Sequence, residues 1–516
     1  MTPPVQLVWF KRDLRIADHL PLTEAARRGP VLCLYAYEPD LLASPEFTAA
    51  HLVFINQALE ELDKNLRARG AALVIRRGEM TEVLTNLHRE TRFTAIWSHE
   101  ETGNDITYRR DVRVADWCRT HGVPWHEHRQ DGVVRRLHSR NGWSRHWQQL
   151  MTQPLAPAPD RLVSPAAIAS EGLRTPESLG LGSTDKPSAQ HGGESEARRT
   201  LESFLTTRGV NYRAAMSSPV EGWESCSRLS PYFAWGCLSI RAATQAAERC
   251  RAEVRSNPDA DCRWRGSLQS FGGRLRWHCH FMQKLEDEPR IEFHNFVRAY
   301  DGLREEFTAS SEGRARFEAW RAGRTGYPMV DACLRCVQAT GWLNFRMRAM
   351  LASFSAYHLW LHWREPAVWL GAHFLDFEPG IHFSRFQMQS GTSGINTIRI
   401  YSPAKQAADQ DPHGFFIRRW VPELAGVPDS WLPAPEKMPS DLQSRAGCHI
   451  GRDYPAPIVD HATAVREARA RLAEVRRRTT TREEARRVFV RHGSRRRPPA
   501  RRNPNTPRQP ELPGLD

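Results

Sequence analysis

The sequence predicts a chain in two parts, an α/β domain on an open, mostly parallel sheet and then a larger all-α domain. Three observations lead there. Short apolar runs alternate with helical periods from residue 5 to residue 128. A stretch dominated by Pro, Ala, Ser and Gly, 154–193, has no sustained period. From Glu194 to about Val459 the period is helical, without strand alternation and rich in Trp and Phe.

Val5–Trp9 and Val31–Tyr37 are short apolar runs with β-branched and aromatic content, as buried strands require. Leu52, Ile55, Leu59, Leu62 and Leu66 recur at helical spacing across 48–69, and Gly70 stops that helix. Ala72–Ile75 reads as a strand, a helix follows from about Glu79, and Ala95–Trp97 is another strand. A helix over 105–121 ends in His121-Gly122, and Pro124–His128 is the last strand. Strands joined by helices pair in parallel, so the layering is Rossmann-like. No GxGxxG and no GxxxxGK[ST] opens these helices, which leaves a dinucleotide or nucleotide triphosphate site in this half unsupported.

The division that follows is 1–135 for the α/β domain, 136–195 for a linker, 196–460 for the helical domain and 461–516 for a tail. Two stretches of the helical domain, 263–285 and 328–361, are long and periodic. The tail opens at helical spacing with Leu472, Val475 and Val488. It closes in Pro- and Arg-rich low complexity, and the tail over 461–516 is expected to be disordered.

Hydrophobic residues make up 40% of the chain and charged residues 26%, an ordinary globular mix. No apolar run approaches the ~18 residues that a membrane span needs. No cleavable leader pattern precedes the first strand, so cytoplasm is the expected compartment. The net charge of +14 invites a nucleic-acid reading, but Val465 to Arg508 holds 16 Arg against four Glu and carries +12 of it. The charge therefore belongs to the tail, as a solubilising feature or as an arm for nucleic acid, an anionic surface or a partner protein. Cys333 and Cys336 form the one CxxC among ten cysteines and read as buried thiols, so no metal site is expected. Seventeen tryptophans fit either an aromatic core or rings around an aromatic cofactor.

Several phrases narrow the choice. The first is Val8-Trp9-Phe10-Lys11-Arg12-Asp13-Leu14-Arg15. Tyr212 precedes the second, Ser225-Cys226-Ser227-Arg228-Leu229-Ser230-Pro231-Tyr232, which runs on to Trp235-Gly236-Cys237-Leu238-Ser239. Ser227 and Ser230 offer hydroxyls just before a helix that begins near Pro231, and the free N–H groups of a helix start suit a pyrophosphate. The third is Trp320-Arg321-Ala322-Gly323-Arg324-Thr325-Gly326-Tyr327-Pro328-Met329-Val330-Asp331-Ala332, continued by Gly341-Trp342-Leu343-Asn344, Arg346 and Arg348. Asp376-Phe377-Glu378 and Arg418-Arg419-Trp420-Val421-Pro422-Glu423-Leu424 follow. In this order, over roughly 5–135 and 200–440, the phrases resemble the photolyase/cryptochrome superfamily.

The resemblance implies FAD in the helical domain and light-driven electron transfer. It implies a cofactor site made of Tyr212, Cys226, Ser227, Arg228, Leu229, Ser230, Arg274, Trp277, Trp342, Arg348, Asp376, Glu378 and His382. Asp376 would accept from the flavin ring edge and pair with Arg348. Trp277, His382, Trp363 and Phe386 are the implied catalytic positions: a lesion-pocket ring, the residue facing flavin N5, and two positions of an electron-transfer chain.

The chain also departs from the family's pattern. Arg274 stands where repair enzymes for cyclobutane dimers carry a Glu, and arginine accepts no hydrogen bond. Ala349 and Met388 replace a usual Met and Trp, and losing a stacking ring costs about 1–3 kcal/mol per base. Asn344 and Phe345 occupy the stretch where six-four photolyases have paired histidines. His382 replaces an Asn or Asp at N5, or else packs in the core. Phe386 and Ser310 interrupt the chain of three tryptophans of which Trp363 fits the middle. Ile106-Thr107 stands where an Asn-Glu pair holds folate, which speaks against a folate antenna bound in that mode and leaves a deazaflavin, a lumazine or no antenna. The expectation is a cryptochrome-like photoreceptor with a signalling protein partner, against the alternative of a divergent DNA photolyase binding UV-damaged DNA.

Overall fold

The computed structural model describes residues 3–165, 168–184 and 186–494. Five short strands form one parallel sheet: β1 (Gln6–Phe10), β2 (Val31–Tyr37), β3 (Leu73–Arg77), β4 (Ala95–His99) and β5 (Trp125–His128), in the order β3-β2-β1-β4-β5. β1 and β2 are buried along their whole length, which explains why their sequences are apolar apart from Gln6. Helices α1 (Leu20–Ala26), α2 (Ala49–Arg67), α3 (Met80–Thr91) and α4 (Asp105–His121) connect the strands. Strand ends differ from the sequence expectation by one or two residues, and α1, capped by the His19 ring, carries no apolar stripe long enough to announce it.

The Lys11–Arg15 turn joins the two domains. Asp13 Oδ2 accepts from His19 Nε2 (3.0 Å) and His99 Nδ1 (2.7 Å), while its Oδ1 accepts from the Lys11 backbone (2.7 Å). The turn thus held sends Leu14 N to the Trp235 carbonyl (3.2 Å) and the Arg15 guanidinium to the Gly236 carbonyl (2.8 Å). Gly236 has φ +67°, and a Cβ there would sit 2.1 Å from the Arg12 carbonyl oxygen, so only glycine permits this approach.

The linker is shorter and better anchored than expected. Residues 143–151, counted with it above, form a helix that buries Trp143, Trp147 and Met151. The following segment bonds to the α/β domain, with Val31 N donating to Val163 O (2.7 Å) and Glu171 N to Ile75 O (3.0 Å).

The helical domain supplies α5 (Ser230–Ala234), α6 (Arg263–Asp287), α7 (Phe345–Ser353) and α8 (Pro379–Ser390) to the site. The period read across 328–361 breaks into Pro328–Thr340, α7 and one π turn over Phe354–His358, because Gly341 ends the first helix in the left-handed region (φ +73°). Disorder is not what the start of the tail shows. Helices α9 (His461–Arg477) and α10 (Thr479–His492) bury Ala468, Leu472, Val475 and Val488 against Phe296, Val297, Tyr300 and Trp360. The Pro/Arg-rich remainder, 495–516, lies outside the described residues. No described helix is long and apolar enough to cross a membrane.

Candidate FAD site

A cavity of about 240 Å³ opens where α5, α6, α7 and α8 converge. Tyr212, Cys226, Ser227, Arg228, Ser230, Arg274, Trp342, Arg348, Asp376 and Glu378 line it. Phrases far apart in sequence therefore meet on one surface.

At one corner Arg348 donates to both oxygens of Asp376, at 2.8 Å each, and its Nε donates to Leu343 O (2.7 Å). Burial opposes the Asp376 charge, but Arg348 outweighs it and holds the carboxyl below its ordinary value. His278 Nε2 lies 2.7 Å from Glu378 Oε2. Burial opposes the imidazolium, yet the Glu378 charge keeps the His278 pKa well above 6.5. At another corner Arg228, at φ +59°, is held between the indoles of Trp223 and Trp342, 4.1 and 4.2 Å from their ring centres.

This donor set fits FAD. Five guanidinium groups, from Arg228, Arg274, Arg346, Arg348 and Arg385, face the cavity with only the Asp376 and Glu378 carboxylates. Asn344 Oδ1, Arg346 Nε and Arg385 Nε are buried on its wall without a partner. A ligand with a pyrophosphate and a polar aromatic ring would satisfy all of these.

A second cavity of about 340 Å³ shares Arg274, His278, Phe345, Arg346 and Ile381 with the first. Trp277, Lys284, Met388, Arg399 and Tyr401 add to its wall, as do His492 and Ser494 at the end of α10.

The family model described as the FAD binding domain of DNA photolyase matches residues 271–474, and that of DNA photolyase matches 6–142. The chain belongs to the photolyase/cryptochrome superfamily. It is 28% identical over 492 residues to a cryptochrome DASH of Gloeobacter violaceus, covering 89% of this chain and 94% of that protein. It is 28% identical over 488 residues to a deoxyribodipyrimidine photo-lyase of Synechococcus sp., with the same coverages of 89% and 94%. Its fold is similar to that of a bacterial class III photolyase from Agrobacterium tumefaciens, with TM-score 0.81 and 26% identity over 93% of this chain and 98% of that one. The helical half is thus a photolyase-type FAD-binding domain.

Three residues implied for the cofactor do not line the FAD cavity. Leu229 is fully buried in the core just ahead of α5. Trp277 lines the second cavity, edge-on to His280. His382, expected at the ring, packs among Phe374, Phe377 and Phe386 instead, and its Nε2 donates to Ala367 O (2.7 Å). Ile381 and Arg385 on α8, and Glu378 at its N-cap, face the cavity, whereas the His382 ring turns to Ala367, with its Nδ1 3.4 Å from Arg385 Nη2. Burial, with Arg385 beside it, pulls the His382 pKa to about 3, so it stays neutral.

Trp363 and Phe386 are fully buried in the same aromatic cluster, with Trp363 Nε1 donating to Asn295 Oδ1 (2.8 Å). Ser310 caps the helix Ser311–Arg321. Sequence reasoning assigned no role to Arg385, Arg346 or His278. The i, i+4 spacing of Ile381 and Arg385 on one helix was the available signal for Arg385.

Proposed function

We propose that this protein is an FAD-dependent, blue-light-absorbing photoreceptor of cryptochrome type. The supporting observation is the boundary between the two cavities. Arg274 stands on it, facing both, and the outer cavity is walled in part by His492 and Ser494 of the chain's own C-terminal region. An arginine offers a base no acceptor and no proton-taking group. The end of α10 takes up rim space that a flipped dinucleotide would need.

Bound FAD supplies the light absorption and the one-electron chemistry. Ser227 and Arg228 bind the pyrophosphate, and Ser230 supports the Asp376 carboxylate. Asp376 accepts from a ring-edge N–H, and Arg348 fixes the orientation of that carboxylate. Tyr212, Phe271 and Trp342 exclude water. Trp363 is a buried indole available as an electron donor, Phe386 stands where the family carries the flavin-proximal indole, and Trp342 on the cavity wall is a second buried indole. A second, antenna chromophore and a signalling partner in the cytoplasm belong to the same reading.

The alternative is a deoxyribodipyrimidine photolyase acting on UV-induced dimers in DNA. It is favoured by Trp277 on the outer cavity and by Arg274, Arg346 and Arg399 there, on a wall with no carboxylate among the described residues. The reduced, FAD-loaded protein is illuminated with DNA carrying cyclobutane dimers or six-four photoproducts, and lesions are counted against a dark control. Unchanged lesions with a light-responsive flavin support the photoreceptor; light-dependent loss of either lesion assigns repair.

A further inference from the structure

Among the described residues Arg385 is a buried cation with no ion-pair partner of its own, the nearby Asp376 carboxylate being held by Arg348. It is 3% exposed and lines the FAD cavity. Its Nε has no partner, and its Nη2 faces the Nδ1 of neutral His382 at 3.4 Å. Phe345 and Phe374 lie at 5.9 and 6.0 Å, the outer limit for a ring to offset a charge. The two nearby acids are already engaged, Asp376 by Arg348 and Glu378 by His278. Burial and the neighbouring Arg348 pull the Arg385 pKa to about 9, which leaves it charged at neutral pH. An unpaired buried charge is expensive, and a bound anion removes the cost.

Charge decides which part of FAD meets it. Asp376 and Glu378 repel the pyrophosphate, which Ser227 and Arg228 attract. Arg385 shares the corner of Arg348 and Asp376 and so belongs to the ring end. We propose that Arg385 is a potential-setting residue, presenting a buried positive charge to the isoalloxazine ring and stabilising the negative charge that reduction places there. Two electrons and one proton from an external reductant give the reduced anion; Arg385 contributes charge and transfers no proton. The proposal rests on FAD occupying this cavity.

Spectroelectrochemical titration of the FAD-loaded wild type, Arg385→Gln and Arg385→Lys tests it. At fixed poise, Arg385→Gln lowers the ratio of reduced to oxidised flavin by roughly tenfold, about 30 mV for a two-electron couple. Arg385→Lys keeps most of the wild-type value. A packing role alone would lower the melting temperature and leave the potential where it was, so equal potentials in wild type and Arg385→Gln overturn the proposal. If Arg385→Gln takes up no FAD, the wild type decides: its reduced flavin keeps the spectrum of the anion on acidification to about pH 5, and a neutral reduced ring near pH 7 overturns the proposal. A wild type without FAD would instead remove the cavity assignment beneath it.

Discussion

Arg348 meets Asp376 through two parallel hydrogen bonds of 2.8 Å, and each residue is 8% exposed. The pair fixes one corner of the candidate FAD cavity. Truncating one partner leaves the other buried and charged, at a cost of about 3–5 kcal/mol. Arg348→Met is therefore expected to lose most bound FAD and to lower the urea midpoint. Asp376→Asn is expected to do the same, since it leaves Arg348 buried without its counter-charge. Flavin absorbance per chain and urea unfolding check both variants.

The His278–Glu378 pair gives a pH dependence. The folded-state pKa of His278 is raised, so its stabilising contribution is complete below the unfolded value of about 6.5 and is lost as pH rises through the folded value. Glu378→Gln removes that contribution. The stability gap between wild type and variant is expected to be widest in mild acid, at up to about 3–5 kcal/mol, and to close in alkali. Urea midpoints across that range give the gap directly; one that widens with pH would reverse the sign argued here.

His382 separates a core residue from a flavin contact. His382→Asn removes the buried donor to Ala367 O and is expected to cost about 1–3 kcal/mol. The flavin absorption maxima should not move. No flavin property should titrate with this imidazole near neutral pH, because its pKa lies at about 3. A shifted spectrum in a folded His382→Asn protein would return His382 to the ring.

Leu472 tests the packing of the C-terminal helices. It is fully buried in the cluster that includes Val297 and Trp360. Leu472→Ala is expected to cost about 2–5 kcal/mol by leaving a cavity. A tail without order predicts no change in melting temperature.

Sequence and structure agree where the chemistry is carried by residue type and order. The strands Val31–Tyr37 and Ala95–His99 and the helix Arg263–Asp287 are legible because buried apolar runs and a long helical period leave direct marks, while the Arg348–Asp376 pair was implied by the family resemblance. What escaped is direction. Counting from Asp376 reaches His382 as a position along the chain, but only the turn of α8 tells which side chains face the cavity. Composition misled at the tail, where arginines between Leu472, Val475 and Val488 outweigh the apolar stripe that packs against Trp360. It misled again at Trp143 and Trp147, whose helix is too short to stand out from the linker that follows.

The most direct test of the account is the absorbance of the purified chain before and during blue illumination in the presence of a thiol reductant. The account predicts one FAD per chain, bleaching of the oxidised flavin band in the light, and loss of both in Asp376→Asn. A folded wild type that carries no flavin, or a bound flavin that Asp376→Asn leaves unchanged, would contradict it.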